Sequence, residues 1–94
     1  MKQLRWAPAA ANDLDTIDRY LEQHHPEYRA ATIQRLYNAA RSLKTHPYKG
    51  RIGHKEGTRE LVLAPLPYLL VYAVEEQIIH ILRFLHTAQD WQSL

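Results

Sequence analysis

The sequence predicts an α+β fold of order β-α-α-β-β-β, with a helical hairpin packed on one face of a small, mostly antiparallel sheet. Three observations predict it. Apolar residues recur at helical spacing through the first half of the chain, a polar loop then gathers all three glycines, and the remainder is dominated by three apolar runs of strand length. The 94 residues suit a single domain, 1–94, with a small core and one shallow site.

Each element follows in order. Leu4 and Trp6 alternate with Gln3 and Arg5, the pattern of a short strand, and Pro8 suits the first turn of a helix. Ala10, Leu14, Ile17 and Leu21 then share one face while Asp13, Asp15, Asp18 and Glu22 fill the other, which predicts an amphipathic helix over about 8–23. His24-His25-Pro26 breaks the pattern. A second helix follows, with Ala30, Ile33, Leu36 or Tyr37, Ala40 and Leu43 on its stripe, and ends at His46-Pro47. So short a break predicts an antiparallel pair. Tyr48 to Gly57 reads as one loop. Thr58–Ala64, Tyr68–Glu75 and Gln77–Leu85 form a meander, turning at Pro65-Leu66-Pro67 and near Glu75-Glu76-Gln77. The last two strands are apolar on both faces and so belong in the middle of the sheet.

The composition excludes several classes. With no cysteine there is no disulfide, thiolate metal site or cysteine nucleophile, and apolar packing must hold the fold. The first residues contain no apolar stretch typical of a secretory signal, and we expect a cytoplasmic protein. The charge-free run from Leu61 to Val74 is shorter than the about 20 residues of a membrane helix and contains two prolines, so no membrane association is expected. No Gly-rich phosphate loop, metalloprotease helix or serine-hydrolase elbow occurs. The net charge of +2 hides a polarised chain. From Arg41 to Arg59 six cations face Glu56 alone, a local charge of +5, whereas Asp13 to Glu27 carries −4.

The residues able to do chemistry are few. His24-His25 reads as a solvated helix end, because adjacent helical positions point about 100° apart and no carboxylate completes a metal shell. In the glycine loop Lys49, Arg51, His54, Lys55 and Arg59 are interleaved with Tyr48, so cations could meet phosphates while a ring stacks on a base; the alternative is a solvated surface. In the last strand, alternation places Ile79, Ile81, Arg83 and Leu85 on one face and Ile78, His80, Leu82, Phe84 and His86 on the other. An arginine among such neighbours needs a partner or an anionic ligand. Arg59 and Arg83 could hold a phosphate and His86 could move a proton. Alternatively, Arg59 pairs with Glu60 or Glu75 and His86 only caps its strand.

The arrangement Gly57-Thr58-Arg59-Glu60-Leu61-Val62, Pro67-Tyr68-Leu69-Leu70-Val71-Tyr72-Ala73-Val74 and Ile79-His80-Ile81-Leu82-Arg83-Phe84-Leu85-His86-Thr87-Ala88-Gln89-Asp90-Trp91 resembles the ParE/RelE superfamily of bacterial toxins. Trp6, Ala10, Asp13-Leu14, Ile17, Tyr20, Leu43 to Pro47 and Gly50-Arg51 extend the resemblance over nearly the whole chain. It implies the toxin of a type II toxin–antitoxin module, held by a cognate antitoxin that wraps it and supplies the DNA-binding part of an autoregulating pair. The motifs Arg59-Glu60-Leu61-Val62 and Leu85-His86-Thr87-Ala88-Gln89 lean toward ParE, which implies inhibition of DNA gyrase rather than catalysis. RelE-like members instead cleave mRNA on the ribosome without metal. On that reading Arg59 and Arg83 would bind the scissile phosphate and His86 would transfer the proton, although no tyrosine follows His86. No cofactor is expected in either case. A plain, non-toxic RNA-binding module is the third reading, and it would need no antitoxin.

Overall fold

A computed structural model describes residues 2–88. The expected Gln89-Asp90-Trp91 end of the last motif lies outside the described residues. The elements are β1 (Gln3–Trp6), α1 (Pro8–His24), α2 (Pro26–Ser42), β2 (Arg51–Ile52), β3 (Arg59–Val62), β4 (Tyr68–Val74) and β5 (Ile78–His86).

Proline opens both helices, at the position where a missing N–H costs nothing. Between them the break narrows to His25 alone, whose N–H donates to the Leu21 carbonyl at 2.8 Å and closes the end of α1. Arg29 of α2 then bridges back to α1, with Nε and Nη2 donating to the two Asp18 oxygens at 2.6 and 2.9 Å and Nη1 lying 2.8 Å from Glu22 Oε2. The Arg29 hydrogen bond holds the Asp18 carboxyl below its ordinary value. The acids of α1 are therefore largely engaged: Asp15 also pairs with Arg19, and Asp13 with Arg83. Of the two residues the sequence offered for the stripe of α2, Leu36 is in the core, while Tyr37 is half exposed and tilts against Trp6 at 5.4 Å.

The sheet runs β1-β5-β4-β3-β2. As expected, β4 and β5 are interior, and β3, β4 and β5 form the antiparallel meander. The one parallel pairing joins β1 to β5, with Leu4 opposite Ile79 and Trp6 opposite Ile81. The core lies between the sheet and the hairpin, where Leu14, Leu36, Ala40 and Leu43 meet Leu70, Tyr72, Ile79, Ile81 and Phe84. Burial of these apolar groups is the main stabilising contribution in a chain without disulfides. Leu69 and Leu85, opposite each other across β4 and β5, are also buried but stand outside that cluster.

Two expectations require correction. The stretch 48–57 is not wholly loop, because Arg51 and Ile52 pair with Glu60 and Arg59 as the two-residue strand β2. Strict alternation in β5 also fails. Ile81 lies opposite Tyr72 but Arg83 lies opposite Val71, so Leu82 is an extra residue in a bulge. The face changes there: Phe84, rather than Arg83 or Leu85, joins Ile79 and Ile81 in the helix-packed core.

Candidate functional site

Arg83 follows the bulge, on the part of β5 that runs past its last pairing with β1. There α1 supplies what a neighbouring strand would have supplied. The Asp13 carboxylate accepts from Arg83 Nε at 2.7 Å and Nη2 at 3.1 Å, and the same oxygen that binds Nε accepts the Phe84 N–H at 3.0 Å. Asp13 thus binds a guanidinium in the bidentate manner and satisfies a strand-edge donor. The hydrogen bond to Asp13 raises the Arg83 pKa further, so the guanidinium stays charged.

Beside this pair a groove of about 920 Å³ opens between the hairpin and the ends of β4 and β5. Its walls are Ile17, Tyr20 and Leu21 of α1, Tyr28, Ala31, Thr32 and Arg35 of α2, and Leu66, Pro67, Tyr68, Phe84 and His86 from the sheet side. Helical spacing explains the α2 wall, since residues 28, 31, 32 and 35 share one face. Tyr20 and Tyr28 remain more than half exposed on its rim. His24 and His25 pack near these rings: His24 is 4.5 Å from Tyr20 and His25 is 6.3 Å from Tyr28, centroid to centroid. His86 meets the buried Tyr68 ring edge-on at 5.7 Å, and its Nδ1 accepts the Ala88 N–H at 3.1 Å. Burial pushes the Tyr68 hydroxyl pKa up, which keeps it a neutral donor.

A second cluster of candidate residues belongs to the 47–60 segment. Tyr72, fully buried in β4, passes its hydroxyl through the sheet edge: it accepts the Gly50 N–H at 2.9 Å and donates to the Pro47 carbonyl at 2.8 Å. Gly50 is required by this close approach, because a Cβ there would lie 2.6 Å from that hydroxyl. Glu60 is the other anchor. It is 3% exposed and receives Arg51 Nε at 3.0 Å and the His54 N–H at 3.1 Å, with His54 Nδ1 at 3.3 Å. Burial alone would raise its pKa, but the His54 N–H, Arg51 and the His54 ring outweigh that and hold it below the ordinary value. Gly57, at φ +80°, takes the left-handed conformation that closes the turn.

Arg59 pairs with neither Glu60 nor Glu75. Its Nη1 donates to the Gly50 carbonyl at 2.7 Å and the Tyr48 carbonyl at 3.4 Å, and its guanidinium lies 5.0 Å from the Tyr48 ring centroid. The reason is the β2–β3 register: Arg51 and His54 occupy Glu60, and the turn brings bare carbonyls to Arg59. Glu75 instead lies 3.2 Å from His80 Nε2. Lys49 and Lys55 are exposed.

The structure therefore brings Arg83 and His86 to one groove and assigns Arg59, Lys49, Arg51, His54 and Lys55 to a separate loop and edge. Sequence reasoning missed Tyr20, Tyr28 and Arg35 as groove residues. Their signal was the aromatic residues off the apolar stripes of two adjoining helices, at positions an ordinary solvated face would not favour.

Comparison with known proteins adds to this geometry. The family of the ParE toxin of type II toxin-antitoxin systems, parDE, matches residues 4–91. Among curated relatives, the protein Y4kP of Sinorhizobium fredii is 37% identical over 90 residues, covering 96% of this chain and 93% of that protein. Toxin RelE2 of Caulobacter vibrioides is 37% identical over 89 residues, covering 95% and 99%. Among solved structures, a chain of the chromosomal ParDE TA system from P. aeruginosa superposes with a TM-score of 0.78 at 30% identity, over 92% of this chain and 96% of that one.

Proposed function

The chain belongs to the ParE toxin family of type II toxin–antitoxin systems, and from that premise we propose that it acts in the cytoplasm as a ParE-type inhibitor of DNA gyrase, neutralised by a cognate antitoxin. Family membership removes the need for a non-toxic RNA-binding role. The observation that carries the gyrase reading is the state of the two arginines. Arg83 is committed to Asp13 and Arg59 to the carbonyls of residues 48 and 50, so a phosphate would have to displace a carboxylate at the first and internal acceptors at the second. A toxin that works by occupying a large enzyme needs only a shaped, charged surface, and this molecule offers two: the apolar groove and the basic edge.

For the antitoxin, the groove between hairpin and sheet is the proposed seat. An extended or helical segment can lay an apolar side into such a cleft. The basic segment with Lys49, Arg51, His54, Lys55 and Arg59 is the surface we assign to the target; Arg83, paired with Asp13 in the groove, stands apart from it.

A RelE-type ribonuclease is the second reading, favoured by the shared groove of Arg83 and His86 and by the resemblance to Toxin RelE2. The two are separated by adding the purified chain to gyrase with supercoiled plasmid and, in parallel, to translating ribosomes whose mRNA ends are mapped by primer extension. Accumulated cleaved plasmid, relieved by antitoxin, with unchanged mRNA is the expected outcome. New codon-specific mRNA ends with unaffected gyrase would establish the ribonuclease instead.

A further inference from the structure

We infer that Arg35 is the specificity-determining residue of the groove, the cation that selects an antitoxin segment carrying a carboxylate beside its apolar stripe. This rests on the antitoxin reading above and adds the chemistry by which the groove would discriminate between segments.

The charges around the groove lead to this residue. Asp13 and Arg83 neutralise each other, and Asp13 also accepts the Phe84 N–H. Further along α1, Asp15 pairs with Arg19, and Asp18 and Glu22 are committed to Arg29. Arg35 is the groove-lining cation left with no hydrogen bond or ion pair among the described residues. Apart from it the walls are chiefly apolar and aromatic, so among the described residues Arg35 leaves an uncompensated positive charge at the α2 side of the groove.

Geometry narrows the partner further. Tyr28 and Arg35 are seven residues apart on one face of α2, which separates them by about 10 Å along the helix axis. A segment anchored by an apolar side chain beside Tyr28 would therefore meet Arg35 with a carboxylate about seven residues away if helical, or about three if extended. Docking strips water from the guanidinium, and an opposite charge offsets that loss most fully. A segment with lysine at that place would bring two cations together in a drying interface, so the same arginine rejects as well as attracts. A nucleic acid is a poorer fit, because one unpaired cation over an apolar floor cannot follow a row of phosphates.

The test uses the toxin chain and its cognate antitoxin. Dissociation constants are measured for the wild type, Arg35→Lys and Arg35→Glu, each with its thermal unfolding midpoint. Each acid of the antitoxin is then changed singly to lysine and assayed against both wild type and Arg35→Glu. We expect Arg35→Glu to bind about tenfold or more weakly at an unchanged unfolding midpoint, Arg35→Lys to retain most of the affinity, and one acid-to-lysine antitoxin to bind Arg35→Glu better than it binds the wild type. That reciprocal rescue cannot arise from a merely structural role. Equal binding by wild type and Arg35→Glu overturns the inference alone, and so does a loss that no charge swap restores. Wild-type chain that binds no antitoxin overturns the antitoxin reading and this inference together. A concentration-dependent dimer of the toxin that Arg35→Glu dissolves would assign the groove to a second copy and also overturns it.

Discussion

Arg83 and Arg59 are the same residue type on strands of the same sheet, yet they are held in opposite ways. Arg83 meets a carboxylate from α1, so its own charge is closed off and the groove beside it is left chiefly apolar, with Arg35 as the cation on its α2 side. Arg59 meets backbone carbonyls and a tyrosine ring, none of which carries a charge, so its region, the 47–60 segment and β3, keeps its positive field. The partner of an arginine, more than its burial, decides whether a surface is suited to an apolar segment or to an anionic one.

Breaking the closed side should produce the largest effect. Asp13→Ala leaves the half-buried Arg83 guanidinium and the Phe84 N–H without their acceptor, and we expect a loss of about 3 kcal/mol in urea unfolding. Asp13→Asn should lose less, because an amide oxygen can still accept one of these bonds. A loss near zero for Asp13→Ala would mean that the edge of β5 is satisfied without α1.

The next effect lies on the open side, where the loop depends on close approach rather than charge. Gly50→Ala places a Cβ 2.6 Å from the Tyr72 hydroxyl and 2.9 Å from the Glu60 carbonyl, and about 2 kcal/mol of destabilisation is expected from the forced shift. Amide hydrogen exchange should show the change as lost protection at Gly53 and Thr58, whose N–H groups bond within the turn.

Acid sharpens the same comparison. The folded-state pKa of Glu60 is lowered, so its contribution is complete above the ordinary carboxylate value of about 4.3 and is lost as the pH falls through that value toward the lowered one. Glu60→Gln should therefore cost about 1 to 2 kcal/mol at pH 7 and progressively less below pH 4. A penalty independent of pH would assign the anchor to packing rather than to charge. Arg59→Ala should be the mildest, at about 1 kcal/mol or less, because its neutral partners remain solvated or bonded elsewhere.

The readable part of the fold followed local chemistry. Ala10, Leu14 and Leu21 announced α1 by their spacing, Pro8 marked its start, and the doubly apolar runs announced β4 and β5 as interior strands. What was not readable depended on neighbours distant in sequence. The Leu82 bulge exists only against the register of β4, and β2 exists because Glu60 recruits Arg51 and His54 across a turn. Asp13 and Arg83 are 70 residues apart, so Arg83 could be suspected as a charged residue in an apolar setting, but Asp13, read as one acid of a polar helix face, could not be suspected as its partner. Among the candidate site residues, the basic loop was visible as a charge run, whereas the groove required two helices and a sheet edge to be brought together.

The central claim, that this toxin acts by a surface and not by a catalytic set, is tested most directly at His86, the groove's proton-transfer candidate. Gyrase-mediated plasmid cleavage is measured with wild-type chain and with His86→Ala, after both are shown to unfold at the same temperature. The account predicts cleaved plasmid at equal levels, within about twofold. Failure of the wild type to trap gyrase, with codon-specific mRNA ends on ribosomes that vanish in His86→Ala, would contradict it.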